Sequence, residues 1–128
     1  MELKVEVTYK PKGSVMVTAY GAIDSTTYLD FIREYEKVLE NPVTTFILNM
    51  EGVTYISSIG VSTIIKIKRA VEKNKGSFVI INLQPQIKAV FDIVQALPAE
   101  CVFGSIEEAD AYLGQIQRKA LEKQKESY

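Results

Sequence analysis

The sequence predicts a single α/β domain, in which an N-terminal β-hairpin is followed by alternating helices and strands. Two observations support this prediction. Segments with apolar residues at every third or fourth position alternate with short, almost continuously apolar runs, as expected for helices that cover a sheet of buried strands. The chain has 128 residues, 47% hydrophobic and 24% charged, which suits one globular domain. We therefore expect a mixed central sheet with about four helices.

Two strands joined by a tight turn are predicted at the N-terminus. Apolar and polar residues alternate from Leu3 to Tyr9, which is the pattern of a half-buried strand. Pro11 to Gly13 has the proline and the glycine of a turn, and a second strand is predicted from Ser14 to Tyr20. The simplest arrangement of these two strands is an antiparallel hairpin.

The first helix is predicted after a segment that can cap it. Asp24 or Ser25 can accept hydrogen bonds from the free N–H groups of the first helical turn. The apolar face of the helix then consists of Tyr28, Leu29, Ile32, Tyr35, Val38 and Leu39. Pro42 ends the helix, because proline disfavours helical backbone at the residue before it.

A βαβ unit is predicted in the middle of the chain. Thr45 to Met50 and Ser77 to Asn82 are nearly continuous apolar runs, as in parallel strands that are buried on both faces. The helix between them is expected to end at Gly76. Its outer face is basic, with Lys66, Lys68, Arg69, Lys73 and Lys75 beside the single acidic residue Glu72. A solvated face is the simpler interpretation, although such a face could dock an acidic partner.

Two more helices and a short strand complete the predicted domain. Pro85 begins a helix that Pro98 closes, and Cys101 to Phe103 is predicted as an edge strand. Ser105 and Glu108 fit the capping box of a last helix. We assign residues 1–117 to the domain and residues 118–128 to a charged C-terminal extension of the last helix, in which the helix is expected to fray.

Missing residue types argue against enzyme chemistry. The chain has no histidine, so it cannot build a Ser-His-Asp or a Cys-His catalytic site. The single cysteine, Cys101, allows no internal disulfide and disfavours zinc or iron–sulfur ligation, and we interpret it as a small buried residue. No acidic loop of the calcium-binding type is visible. We therefore predict a protein that is not an enzyme and has no metal or cofactor.

Charge and hydropathy restrict the expected partners. The formal net charge of −1 gives no general basic footprint for nucleic acid. No apolar run approaches the ~20 residues of a membrane span, and Met1 to Lys4 does not resemble the start of a signal peptide. We expect a cytoplasmic protein that binds neither nucleic acid nor membranes. The oligomeric state is left open, with a weak homodimer as one option.

The most informative segment is the junction from Asn49 to Ser62, where a buried strand runs through a polar loop into a helix. Ser57 and Ser58 stand at the start of that helix. Backbone N–H groups converge at a helix N-terminus, so a phosphate added to a hydroxyl there would be stabilised. The simpler interpretation of Ser58 is a plain helix cap, which typically contributes about 1 kcal/mol.

The order of elements and the junction residues together resemble the STAS domain family, which includes bacterial anti-sigma-factor antagonists and the cytoplasmic domain of sulfate transporters. The resemblance extends from Leu3 to Leu113. Four segments carry it, in the family's order and spacing. They are Gly21 to Ser25, Phe46 to Val53, Tyr55 to Val61 and Ser105 to Ala109, which look like the family's Gly-x-Leu-Asp segment, central strand with its turn, switch loop and last helix start.

The resemblance implies a phosphorylation switch. In antagonists of this family, the serine after a loop aspartate is phosphorylated by an anti-sigma factor that is itself a kinase. Only the unmodified antagonist binds that kinase and frees the sigma factor. Matching the loops on Gly60 places the phosphorylated serine at Ser58, with Ser57 as a weaker candidate. The implied partner-binding residues are Asp24, Thr54, Tyr55, Ser57, Ser58, Ile59 and Gly60.

Three positions depart from the family's switch loop. Ser57 replaces the loop aspartate, Ile59 replaces a small residue, and Ser62 stands where a second glycine is common. Loss of the aspartate removes a charge and a hydrogen-bond acceptor beside the target hydroxyl. The departures at Ser57 and Ile59 favour an alternative function, in which the chain is a ligand-sensing or scaffold module of the same fold that is never phosphorylated.

Overall fold

The computed structural model describes residues 3–96 and 106–126. Within these ranges there are four strands, β1 (Lys4–Tyr9), β2 (Ser14–Ile23), β3 (Thr45–Ile56) and β4 (Ser77–Ile81). There are also four α-helices, α1 (Tyr28–Val38), α2 (Ser58–Lys73), α3 (Pro85–Ala96) and α4 (Ile106–Glu126). The predicted α/β domain, with an N-terminal hairpin and then alternating helices and strands, is confirmed.

The four strands form one mixed sheet in the order β1-β2-β3-β4. β1 pairs antiparallel with β2, with Val7 opposite Val17, so the predicted hairpin is confirmed. β3 pairs in parallel with both β2 and β4, which confirms the parallel βαβ unit. Ile23 lies opposite Ile56. The C-terminal ends of β2 and β3 therefore lie side by side. The junction and the loop that follows β2 start from this end of the sheet.

β2 and β3 continue beyond their predicted ends at Tyr20 and Met50. The two extensions pair with each other as far as Ile23 and Ile56, and Gly52 lies opposite Tyr20. A Cβ atom on Gly52 would lie 2.4 Å from the Tyr20 ring and 2.8 Å from the Ala19 carbonyl oxygen. Gly52 therefore allows two backbones to approach closely within the sheet. From the sequence alone, a glycine at this position predicts the end of a strand.

The core lies between the sheet and the helices. The largest fully buried side chains come from all the central elements and include Ile23, Phe31, Phe46, Leu48, Met50, Ile56, Ile67 and Ile87. The predicted face of α1 was partly wrong, because Phe31 is buried whereas Leu29 is 51% exposed. The predicted basic residues of α2 are exposed, as expected for an outer face.

Two helix ends differ from the sequence prediction. α2 ends at Lys73, and Lys75, not Gly76, adopts the left-handed conformation, with φ of 65°. α4 does not fray from Arg118 but continues to Glu126. The predicted strand from Cys101 to Phe103, the helix end at Pro98 and the Ser105 cap lie outside the described residues. None of the helices within the described ranges is long and apolar enough to cross a membrane.

Side-chain amides complete the edge of β3 where β4 stops. The last pair between these strands is Asn49 with Ile81. Farther along β3, Gln84 donates to the Glu51 carbonyl oxygen at 2.6 Å and Gln86 donates to the Thr54 carbonyl oxygen at 3.1 Å. Beyond that last pair β4 supplies no partner for these carbonyl groups, and the side-chain amides donate to them instead. Glutamine side chains thus take the place of a longer β4 beside the junction.

Candidate functional site

Ser57 is the residue that caps α2. Its backbone is extended, with φ of −94° and ψ of 175°, and its Oγ accepts a hydrogen bond from the Gly60 N–H at 3.3 Å. Its side chain is almost completely buried, with 4% of the residue exposed. The interpretation of Ser58 as the cap is therefore wrong. Ser57 is the N-cap, and Ser58 is already the first residue of the helix.

The cap is also fastened to the end of β2. The Ser57 N–H donates to the Ile23 carbonyl oxygen at 3.0 Å. A Cβ atom on Gly60 would lie 2.5 Å from the same carbonyl oxygen and 2.7 Å from the Ile56 side chain. Gly60 is buried, and the absence of a side chain there lets the first turn of α2 pack directly on the sheet.

Ser58 is the first residue of α2, and its side chain is half-buried. Its hydroxyl donates to the Asp110 Oδ1 atom at 2.7 Å, and its backbone N–H donates to the same oxygen at 2.9 Å. Asp110 belongs to α4 and lies 52 residues away in sequence. A carboxylate is stabilised at a helix N-terminus by the free N–H groups and by the helix dipole. Sequence reasoning missed this residue.

The side chain of Gln117 binds the backbone of Ile56, the residue that precedes the Ser57 cap. Its Nε2 donates to the Ile56 carbonyl oxygen at 2.8 Å, and its Oε1 accepts from the Ile56 N–H at 3.0 Å. Nε2 also donates to the Leu113 carbonyl oxygen at 3.1 Å, and the residue is only 2% exposed. This side chain was also missed, although a polar residue four positions after Leu113 on the apolar face of a helix was a usable signal.

Asp24 lies in the loop that follows β2. Its Oδ1 accepts from the Thr26 N–H at 2.9 Å, from the Thr26 hydroxyl at 2.7 Å and from the Thr27 hydroxyl at 3.3 Å. Burial raises the pKa of Asp24, but these hydrogen bonds outweigh burial and hold the pKa below its usual value. Asp24 is therefore ionised at neutral pH. It closes a turn before α1, while Thr27 occupies the cap position.

The hydroxyl of Tyr55 is influenced by both acidic residues of the site. Burial raises the pKa of its hydroxyl, and the carboxylates of Asp110 and Asp24 raise it further, while Arg118 acts in the opposite direction. Tyr55 lines a surface cavity of about 310 Å³ together with Thr54, Asp110, Gly114 and Arg118. The side chain of Tyr55 is thus a neutral, half-buried group in a locally acidic environment.

The predicted site residues do not all present side chains at the surface. Thr54 is exposed, Asp24, Tyr55, Ser58 and Ile59 are half-buried, and Ser57 and Gly60 are buried. The half-buried hydroxyl of Ser58 donates to the Asp110 carboxylate at 2.7 Å. No group of three or more potential metal-ligating side chains occurs within residues 3–96 and 106–126.

The model of the STAS domain family matches residues 5–109, and the chain therefore belongs to the STAS domain family. The matched range contains Asp24, Ser57 and Ser58 but ends immediately before Asp110. The two α4 side chains that hold the junction thus lie beyond the matched segment.

Similar solved structures include anti-sigma factor antagonists. The unphosphorylated form of SpoIIAA has a TM-score of 0.64 and 20% identity, over 72% of this chain and 81% of that chain. An antagonist from Mycobacterium paratuberculosis has a TM-score of 0.66 and 14% identity, over 87% of this chain and 93% of that chain. The phosphorylated form of SpoIIAA from Bacillus has a TM-score of 0.60 and 21% identity, over 71% of this chain and 83% of that chain. At such identities the likeness establishes the fold. No curated protein sequence matches this chain.

Proposed function

We propose that this protein is an anti-sigma-factor antagonist. It binds an anti-sigma factor of the serine-kinase type, and phosphorylation of Ser58 by that kinase switches the binding off. The protein thereby regulates transcription by partner switching in the bacterial cytoplasm. It acts by binding alone, and the partner supplies the phosphoryl-transfer chemistry. The observation that carries the proposal is the half-buried Ser58 hydroxyl at the first position of α2, in a STAS domain.

Accessibility favours Ser58 over Ser57 as the modified residue. Ser57 is 4% exposed, and its oxygen caps the helix, so a kinase could reach it only after the junction opened. Ser58 reaches the surface without such opening. A phosphate on Ser58 adds nearly two negative charges at the positive end of the α2 dipole, so the fold tolerates it. A partner surface that fits a neutral hydroxyl would instead face a bulky anion.

Asp110 supports this function over the alternative. The loop aspartate that the family usually has beside the target hydroxyl is absent, because Ser57 stands in its place. Asp110 supplies both missing properties, a negative charge and a hydrogen-bond acceptor, at 2.7 Å from the Ser58 hydroxyl. The departure at position 57 therefore leaves the acidic environment of the target serine in place.

The partner surface that we propose surrounds Ser58. Asp24 contributes a charge that persists at neutral pH, and Thr54, Tyr55 and Ile59 contribute exposed or half-buried side chains. Ser57 and Gly60 serve this surface indirectly, since they fix the backbone that presents Ser58.

A second candidate function is a ligand-sensing module that is never phosphorylated. The observation that favours it is the cavity of about 310 Å³ beside Tyr55, with Arg118 at its wall. Under this function, binding of any partner would be insensitive to the charge at position 58.

Incubation with the cognate anti-sigma kinase and ATP, followed by intact mass measurement, separates the two functions. We expect one added phosphoryl group on the wild type and none on Ser58→Ala. Ser62→Ala is the matched control, because Ser62 is an exposed serine one turn farther along α2. Absence of phosphate from the wild type, together with partner binding that Ser58→Asp leaves unchanged, would refute the antagonist function.

A further inference from the structure

Two side chains of α4 hold the junction on either side of the Ser57 cap. Asp110 accepts both the N–H and the hydroxyl of Ser58, at 2.9 and 2.7 Å. Gln117 pairs with both backbone groups of Ile56, at 3.0 and 2.8 Å. The two residues are about two helical turns apart, and so they share one face of α4. Only the Asp110 contact involves the hydroxyl that the proposed switch modifies.

Phosphorylation of Ser58 changes the Asp110 contact directly. The bond between the β- and γ-phosphates of ATP breaks, a bond forms between the γ-phosphorus and Ser58 Oγ, ADP leaves, and the hydroxyl proton passes to solvent. The ester oxygen then has no hydrogen to donate to Asp110. A group with a charge of about −1.5 to −2 now lies beside the carboxylate, at the same helix N-terminus. Like charges at hydrogen-bond distance repel strongly where water is partly excluded.

We infer that Asp110 is a latch that phosphorylation of Ser58 releases. The phosphate and the Asp110 carboxylate compete for the free N–H groups at the start of α2, and the phosphate, with more charge and more oxygens, displaces the carboxylate. This inference rests on the proposed function only in taking Ser58 as the modified residue. Its consequence is that the switch alters α4 and the cavity beside Tyr55, as well as the hydroxyl itself.

The expected change is local. Asp110 is half-buried, so its carboxylate can turn into water without leaving the protein surface. Gln117 is 2% exposed, and its pairing with Ile56 anchors the later turns of α4 to the core. Release of the latch should therefore loosen the helical turn around Asp110, while the later turns stay attached.

Hydrogen–deuterium exchange tests the latch without a kinase if phosphoserine is installed at position 58 during translation. Because hydrogen bonds to charged groups are among the stronger ones, losing the Asp110 contact should speed amide exchange in residues 110–114 about ten- to a hundredfold. Exchange in residues 117–126 should change little. Equal exchange in residues 110–114 of the phosphorylated and unmodified proteins would overturn the inference.

Substitutions at Asp110 separate the latch from general repulsion. Asp110→Asn keeps an acceptor oxygen but no charge, so phosphoserine at position 58 should loosen α4 less than in the wild type. Glu107→Gln is the matched control, because it removes one charge from an exposed residue in the first turn of the same helix. If Glu107→Gln reduced the loosening as much as Asp110→Asn, the latch would be refuted in favour of diffuse charge repulsion.

A third variant tests the resting state. Asp110→Ala should show fast exchange in residues 110–114 without any phosphate, and unchanged exchange would show that the carboxylate does not hold α4. The two proposals fail separately. A protein that the cognate kinase leaves unmodified, but whose translated phosphoserine form loosens α4, would retain the latch and refute the proposed function.

Discussion

Replacement of Gln117 by methionine should destabilise the domain strongly while leaving its shape intact. Methionine has nearly the volume of glutamine, but it cannot pair with the Ile56 N–H and carbonyl groups. Ile56 has no exposed surface, so water cannot readily replace the amide. Each buried backbone group left without a partner costs about 1–3 kcal/mol.

The expected magnitude follows from these two groups. Their combined cost of about 2–6 kcal/mol is offset partly by the easier burial of a thioether, which leaves a net loss of about 2–4 kcal/mol. For a domain of this size, 1 kcal/mol corresponds to a shift in Tm of about 3–5 °C. Gln117→Met should therefore lower the Tm by about 10 °C.

Urea unfolding followed by circular dichroism measures this loss. Gln115→Met is the matched control, because Gln115 is an exposed glutamine on the same helix. The control should lie within about 0.5 kcal/mol of the wild type, as surface substitutions usually do. If Gln117→Met matched the control, the paired contact with Ile56 would not fasten α4 to β3, and the reasoning above would be wrong.

Three further predictions concern the junction and the loop that follows β2. Ser58→Asp should weaken binding of the anti-sigma partner about ten- to a hundredfold, and Ser58→Ala should keep it within about threefold, as measured by isothermal titration calorimetry. Gly60→Ala should destabilise the domain by about 1–3 kcal/mol or more in urea, because its Cβ would meet the Ile23 carbonyl oxygen at 2.5 Å. Asp24 has a lowered pKa in the folded protein, so its contribution is present above the unfolded value of about 4 and is lost as pH falls through the folded value. Asp24→Asn should therefore reduce the fall in Tm on acidification below pH 4, and an unchanged fall would contradict the assigned hydrogen bonds.

The parts of the fold that were predicted correctly depend on local pattern. The apolar run before Met50 and the helical spacing of Val61, Ile64 and Val71 are properties of short segments, and burial follows from them. The extensions of β2 and β3 depend on pairing between distant residues. From the sequence alone, Gly52 predicts the end of a strand. In the structure the glycine lies against Tyr20 of β2, where a side chain would not fit, and the strand continues.

The strand-loop-helix junction was predicted from the sequence, but its contacts were not. Both serines were identified, yet their roles depend on the backbone of Ser57 and on a carboxylate 52 residues away from Ser58. In sequence, Asp110 is one of several acidic residues near the start of a helix, where such residues are common. Gln117 marked the predicted end of the domain, although its side chain is among the most buried polar groups described.

The source of the acidic group beside Ser58 determines which parts of the protein the proposed switch can affect. A loop aspartate next to the serine moves with the serine, so its charge can affect only that loop. Asp110 belongs to another element, so under the proposed latch a change at the Ser58 hydroxyl reaches α4 through the hydrogen bond of 2.7 Å between this hydroxyl and Asp110. Because Gln117 fastens the same helix independently, loss of the Asp110 contact can alter one turn without unfolding the helix. Under the proposed function, the switch therefore survives the replacement of the loop aspartate by Ser57, and Asp110 gives it a second surface on which to act.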